Sequence, residues 1–83
     1  VYLAKIFVTL RRSILDPQGK AVQHALESLG MKDAKEVRMG KYIEMKVASK
    51  DKSEAERLTE EACKKLLANP VMEDYSYTIE SIG

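Results

Sequence analysis

Apolar and polar side chains alternate one by one at the start of the chain, with Tyr2, Ala4, Ile6, Val8 and Leu10 set against Leu3, Lys5, Phe7 and Thr9. A period of two predicts a strand over Val1–Leu10. The spacing then changes. From Pro17 to Leu29 the apolar residues Val22, Ala25, Leu26 and Leu29 fall on one helical stripe, and Gly30 supplies a left-handed end. Lys35–Met39 and Tyr42–Ala48 read as two strands meeting across Gly40-Lys41, a tight hairpin with glycine where a positive φ is cheap. A second helix carries Ala55, Leu58, Ala62, Leu66 and Leu67 at helical spacing. Ser53 with Glu56 forms its capping box, and Asn69-Pro70 stops it. A last strand covers Tyr75–Ile82.

The predicted order is β-α-β-β-α-β. Right-handed crossovers place both helices on one face of a four-stranded antiparallel sheet, an α+β, ferredoxin-like fold. Ile6, Val8, Val37, Met39, Ile43, Met45, Val47, Tyr77 and Ile79 then face the helices. The other face carries Leu3, Phe7, Tyr42 and Ile82 among Lys5, Glu36, Arg38, Glu44, Lys46 and Glu80, and nothing in the chain is left to cover it. An open, partly apolar sheet face predicts association, so a homo-oligomer is expected.

The most informative run is Leu15–Leu26, a helix start written almost in full. Asp16 is placed to cap the first-turn amides, and Pro17 suits the first helical position because its missing N–H would go unpaired there. Gly19 costs that helix up to about 1 kcal/mol relative to alanine. Such a residue implies that something approaches the helix start closely.

Composition narrows the choices. The 83 residues form one domain, residues 1–83, too short for separate cofactor and substrate domains. A net charge of +1, from 14 basic and 13 acidic residues, gives no electrostatic reason to expect nucleic acid or an anionic membrane. The single cysteine, Cys63, allows no internal disulfide and fits a reducing, cytoplasmic setting. No apolar run approaches the roughly 20 residues of a membrane span, and no basic-then-apolar leader opens the chain. His24 has Ser28 rather than a ligand at the next helical position, and Cys63 has no second cysteine nearby. Glu60-Glu61 and Glu73-Asp74 read as solvated charge. An RNA-binding sheet would want more aromatics and a basic surround, and an acyl-phosphate hydrolase a Gly-rich cradle beside Arg11 and Arg12. No catalytic constellation is present.

Three segments carry a family resemblance: Leu15-Asp16-Pro17-Gln18-Gly19-Lys20-Ala21-Val22, Val37-Arg38-Met39-Gly40-Lys41-Tyr42-Ile43-Glu44, and Lys65-Leu66-Leu67-Ala68-Asn69-Pro70-Val71-Met72-Glu73-Asp74-Tyr75. In this order and register they resemble the PurS family, small subunits of phosphoribosylformylglycinamidine synthase, over essentially the whole chain. The resemblance implies a non-catalytic chain that joins a glutaminase subunit to a large ATP-dependent synthetase subunit of de novo purine biosynthesis. It also implies a dimer or tetramer, with ATP and magnesium used by the synthetase partner and no cofactor or metal held here. From the three segments, Asp16, Gln18 and Gly19, then Arg38, Lys41 and Tyr42, then Asn69, Pro70 and Tyr75 are the candidate partner-contact residues. A ligand-sensing domain and a stand-alone small enzyme are the competing functions.

Overall fold

The chain, described over all residues Val1–Gly83 by a computed structural model, runs β1 (Tyr2–Leu10), α1 (Pro17–Ser28), β2 (Gly40–Val47), α2 (Lys52–Ala62) and β3 (Glu73–Ser81). It forms one antiparallel sheet in the order β2-β1-β3, with Ile6 opposite both Ile43 and Tyr77. The alternation read from β1 holds in full. Ala4, Ile6 and Val8 are buried on one face, while Phe7 stands half exposed on the other.

Three strands replace the four of the expected ferredoxin-like sheet. Lys35–Met39 pairs with nothing, because its polar groups are spent elsewhere. The Met39 N–H donates to the Asp16 carboxylate at 2.7 Å, and the Arg38 guanidinium donates to the carbonyls of Arg11 and Ile14. Gly40-Lys41 is therefore the start of β2 and not a hairpin tip. Glycine is needed at position 40 for closeness: a Cβ there would lie 2.7 Å from the Val8 carbonyl oxygen.

α2 lies against β1 and β3. Its cap is Asp51, which accepts from the Glu54 N–H at 2.8 Å, so the helix begins before the expected Ser53–Glu56 box. The face it buries keeps Ala55 of the expected stripe, with Leu67 packed against the core, but is otherwise shifted. Ala55, Thr59 and Cys63, four residues apart, are buried, whereas Leu58 and Leu66 of the expected stripe are exposed. Small side chains let a helix approach a sheet closely, and the Thr59 hydroxyl is satisfied by donating to the Ala55 carbonyl at 2.8 Å. The helix ends in a widened turn over Cys63–Leu67, closed by the Ala68 N–H on the Cys63 carbonyl at 3.1 Å. That turn brings both Cys63 and Ala68 into the core with Ala4, Ile6 and Val8. Asn69-Pro70 follows and ends the helical path as expected.

α1 is the surprise. Its start and end match the sequence reading, with Asp16 as cap and Gly30 at φ +90°. The Met31 and Gly30 N–H groups close the end on the carbonyls of Leu26 and Glu27, a complete Schellman motif. Yet Gly19 is its only buried residue, and the helix lies along neither the sheet nor α2. Only one helix covers the inner sheet face, against the two expected. The molecule is correspondingly long and thin, 51 × 28 × 14 Å. Its radius of gyration is 16.4 Å, where a compact chain of this length would have about 12 Å.

Close packing of α2 sets a test. Ala55→Leu should destabilise the fold by about 1–3 kcal/mol, read as a lower urea midpoint with unchanged slope.

Candidate functional site

Seven of the nine sequence-chosen residues gather at one end of the sheet, where β1 finishes and β2 and β3 begin. Asp16 organises that end. It sits in extended geometry ahead of α1, 4% exposed, and uses both carboxylate oxygens. One accepts from the Gly19 N–H at 3.0 Å and the other from the Met39 N–H at 2.7 Å. One side chain thus caps a helix and pins a loop distant in sequence. The Met39 amide first, then the Gly19 amide, hold the Asp16 carboxyl below its ordinary value, against the opposing effect of burial.

Gly19 is required for the same reason. A Cβ at that position would lie 2.0 Å from the Val37 carbonyl oxygen and 2.9 Å from its carbon. The close approach predicted from Gly19 is therefore internal: the loop before β2 presses its backbone against the helix start.

Arg38 closes the other side of this loop. One guanidinium nitrogen donates at 2.8 Å to Arg11 O and 3.2 Å to Ile14 O, with Leu10 O at 3.5 Å. Its charge is directed into the β1–α1 connection. Lys41 points toward Glu73 across the sheet end, with nitrogen and oxygen 3.8 Å apart. Gln18, Asp16 and Lys41 border a cleft of about 180 Å³ together with Val8, Leu10, Met39, Gly40 and Glu73.

The third segment meets this cleft at Glu73. Asn69 caps the turn after α2, its side-chain oxygen accepting from the Val71 N–H at 3.0 Å. Pro70 presents its carbonyl to Arg11 at 2.7 Å. Pro70, Tyr75, Arg11, Lys64, Glu73 and Asp74 border a neighbouring open groove. Tyr75 faces α2, its hydroxyl donating to Glu60 at 2.9 Å, and burial followed by Glu60 pushes that hydroxyl's pKa up. Tyr42 stands apart on the outer sheet face, its ring 5.0 Å from that of Phe7 and its hydroxyl donating to Glu44 at 2.8 Å.

Two residues important here escaped the sequence reading. Glu73, read as solvated charge, has a side chain only 15% exposed and accepts from the Asn69 N–H at 2.8 Å. Its signal was the spacing: an acid four residues after a helix-stopping Asn-Pro can reach back to an amide freed at the stop. Arg11 joins Pro70 to Asp74, 3.3 Å away, and only its position beside the strand end hinted at that. No three His, Cys, Asp or Glu side chains converge where a metal ion could be held. The groups at this end hold loops in shape.

Comparison with known proteins places this arrangement. The PurS family, described as phosphoribosylformylglycinamidine (FGAM) synthase, matches residues 3–81. The chain belongs to the PurS family. The PurS subunit of phosphoribosylformylglycinamidine synthase from Bacillus subtilis is 46% identical over 82 residues, 99% of this chain and 96% of that protein. A crystal form of B. subtilis PurS superimposes with a TM-score of 0.88 at 47% identity, covering 98% of this chain and all of that one. A chain in the structure of PurLQS from Thermotoga maritima matches with a TM-score of 0.86 at 28% identity, covering 96% of this chain and 99% of that one. The chain is thus a PurS subunit of phosphoribosylformylglycinamidine synthase, a ligase of purine biosynthesis.

Two predictions follow from Asp16 and Gly19. Gly19→Ala should destabilise the protein by about 1–3 kcal/mol, although helix propensity alone would stabilise it by up to about 1 kcal/mol. Thermal melting therefore decides on sign. Because the folded pKa of Asp16 lies below its unfolded value, its contribution is complete above about pH 4 and disappears as pH falls through the lowered folded value. Asp16→Asn should be less stable than wild type at neutral pH, and the gap should close in urea titrations carried into acid.

Proposed function

We propose that this chain is the adaptor of its synthase. It joins the glutaminase subunit to the ATP-dependent synthetase subunit and supports glutamine-dependent conversion of formylglycinamide ribonucleotide to formylglycinamidine ribonucleotide. The observation that carries this reading is the near full-length match to a chain within PurLQS. The charged side chains at the sheet end are consistent with this reading, being tied to loops and to one another. ATP and magnesium belong, on this proposal, to the synthetase partner, and the site of action is the cytoplasm.

The docking surface is assigned to the cluster at the sheet end. Gln18, Lys41, Asn69 and Pro70 are exposed there, on loops whose shape Asp16, Gly19 and Arg38 maintain. Tyr42, exposed beside Phe7 on the uncovered outer face, supplies a second contact, and Tyr75 supports the first from below. The chain is itself a homo-oligomer in this proposal, a dimer or a tetramer.

Reconstitution tests the adaptor role. Glutaminase and synthetase subunits assayed without this chain should lose glutamine-driven product formation while keeping most of the rate driven by free ammonia. Equal glutamine-driven rates with and without the chain would refute the proposal.

A further inference from the structure

We infer that the free edge of β3 takes up an extended, basic segment from another chain of the synthase, which pairs with it strand to strand. The inference rests on the adaptor reading and names one contact that the role uses. Backbone, side chains and charge along β3 each support it.

The backbone comes first. β3 pairs with β1 alone, over nine residue pairs without a bulge. Bonds just beyond the two strand ends fix the phase of the ladder: the Arg11 N–H donates to the Met72 carbonyl at 2.9 Å, and the Ile82 N–H to the Val1 carbonyl at 3.0 Å. Opposed residues of an antiparallel pair alternate between bonded and non-bonded. Asp74, Ser76, Thr78 and Glu80 therefore bond to β1, while Tyr75, Tyr77, Ile79 and Ser81 turn their N–H and C=O groups away from it. Those groups line an open edge.

The side chains of the same residues give that edge an apolar side. Tyr75, Tyr77 and Ile79 are half-buried against the core, whereas Ser76 and Thr78 are exposed on the outer face. An arriving strand meets backbone partners and an apolar row in one place, and its alternate residues would extend that row beside α2. Natural sheets commonly blunt their edges with lysine, proline or a bulge. β2, at the opposite edge, carries Lys41 and Lys46. β3 has none of these devices.

Charge selects the occupant. β3 carries Glu73, Asp74 and Glu80 and no basic residue. From α2, Glu60 accepts from the Tyr75 hydroxyl at 2.9 Å, and Glu56 is exposed one turn earlier. Burial first, then Glu60 and Glu56, push the Tyr77 hydroxyl's pKa up, which sets both carboxylates beside this edge. Lys5, Arg11 and Lys64 each offset one of these acids, but none lies on β3. A strand with basic residues among its apolar ones complements both faces. A second copy of β3 suits the edge poorly. In the register of longest overlap, with Tyr77 opposite Tyr77, it sets Asp74 against Glu80 twice, and like charges directly opposed are destabilising.

Residue-resolved hydrogen–deuterium exchange tests this on the chain alone and on its complex with the glutaminase and synthetase subunits. The outward amides of Tyr75, Tyr77 and Ile79 should exchange freely in the chain alone and slow by about tenfold or more in the complex. Those of Ser76 and Thr78, already bonded to β1, should change less. Glu56→Lys, at an exposed site and checked for folding by circular dichroism, should weaken assembly by about threefold at low salt and less at high salt. Outward amides that stay unprotected in an assembled complex would overturn the inference and leave the adaptor role standing. So would a folded Glu56→Lys chain that assembles as tightly as wild type. Protection that arises in the isolated chain and grows with its concentration would give the edge to a second copy instead, and a chain that binds neither subunit would overturn both readings.

Discussion

Two hydrogen bonds to one buried carboxylate determine the shape of this protein. Asp16 accepts from Gly19 at the head of α1 and from Met39 just before β2. Either bond alone would be ordinary. Together they tie the helix start to the strand start, and Gly19, lacking a side chain, lets the Val37 backbone come close enough for both. The segment between α1 and β2 is consequently held against the helix instead of extending the sheet. The absence of a fourth strand, the position of α1 and the position of the end clefts all depend on that one junction.

The energetics of the chain are those of a part. Ten buried residues make a thin core, concentrated where α2 meets β1 and β3. Small chains commonly compensate with disulfides, metals or association, and Cys63 is the single cysteine and is buried. Burial pushes the Cys63 thiol's pKa up, so it packs as a small apolar group. Surface ion pairs such as Lys65–Glu61 along α2 are exposed and contribute little. Association as the compensation agrees with membership in a family of enzyme subunits.

Local signals were legible in the residues, and long-range ones were not. Alternation in β1 gave both sheet faces correctly because the strand period is fixed by backbone geometry. Asp16-Pro17 and Gly30 marked α1 because caps obey local stereochemistry. Lys35–Met39 misled because strand propensity says nothing about a distant carboxylate competing for the Met39 amide. Gly40 read as a turn because glycine's freedom is visible in sequence, while the crowding against Val8 that requires it is tertiary. α2 misled by its leucines: its buried row is Ala55, Thr59 and Cys63, and a threonine whose hydroxyl is satisfied by its own helix counts as polar in any pattern. At the sheet end, Asp16 and Gly19 stood out through their local oddity, whereas Glu73 and Arg11 gain meaning only through partners far along the chain.

The widened turn at Cys63–Leu67 fixes the length of the chain around it. Such a turn holds one residue more than a regular helical turn, and here the extra residue rotates Ala68 back toward Cys63 and the sheet. Removing any one residue between 63 and 67 would restore regular helical bonding nearby, yet swing everything beyond it through about a quarter-turn or more. Asn69 would lose its place above Glu73, and β3 would enter the sheet out of step. This stretch should accordingly tolerate changes of residue type far better than changes of residue number.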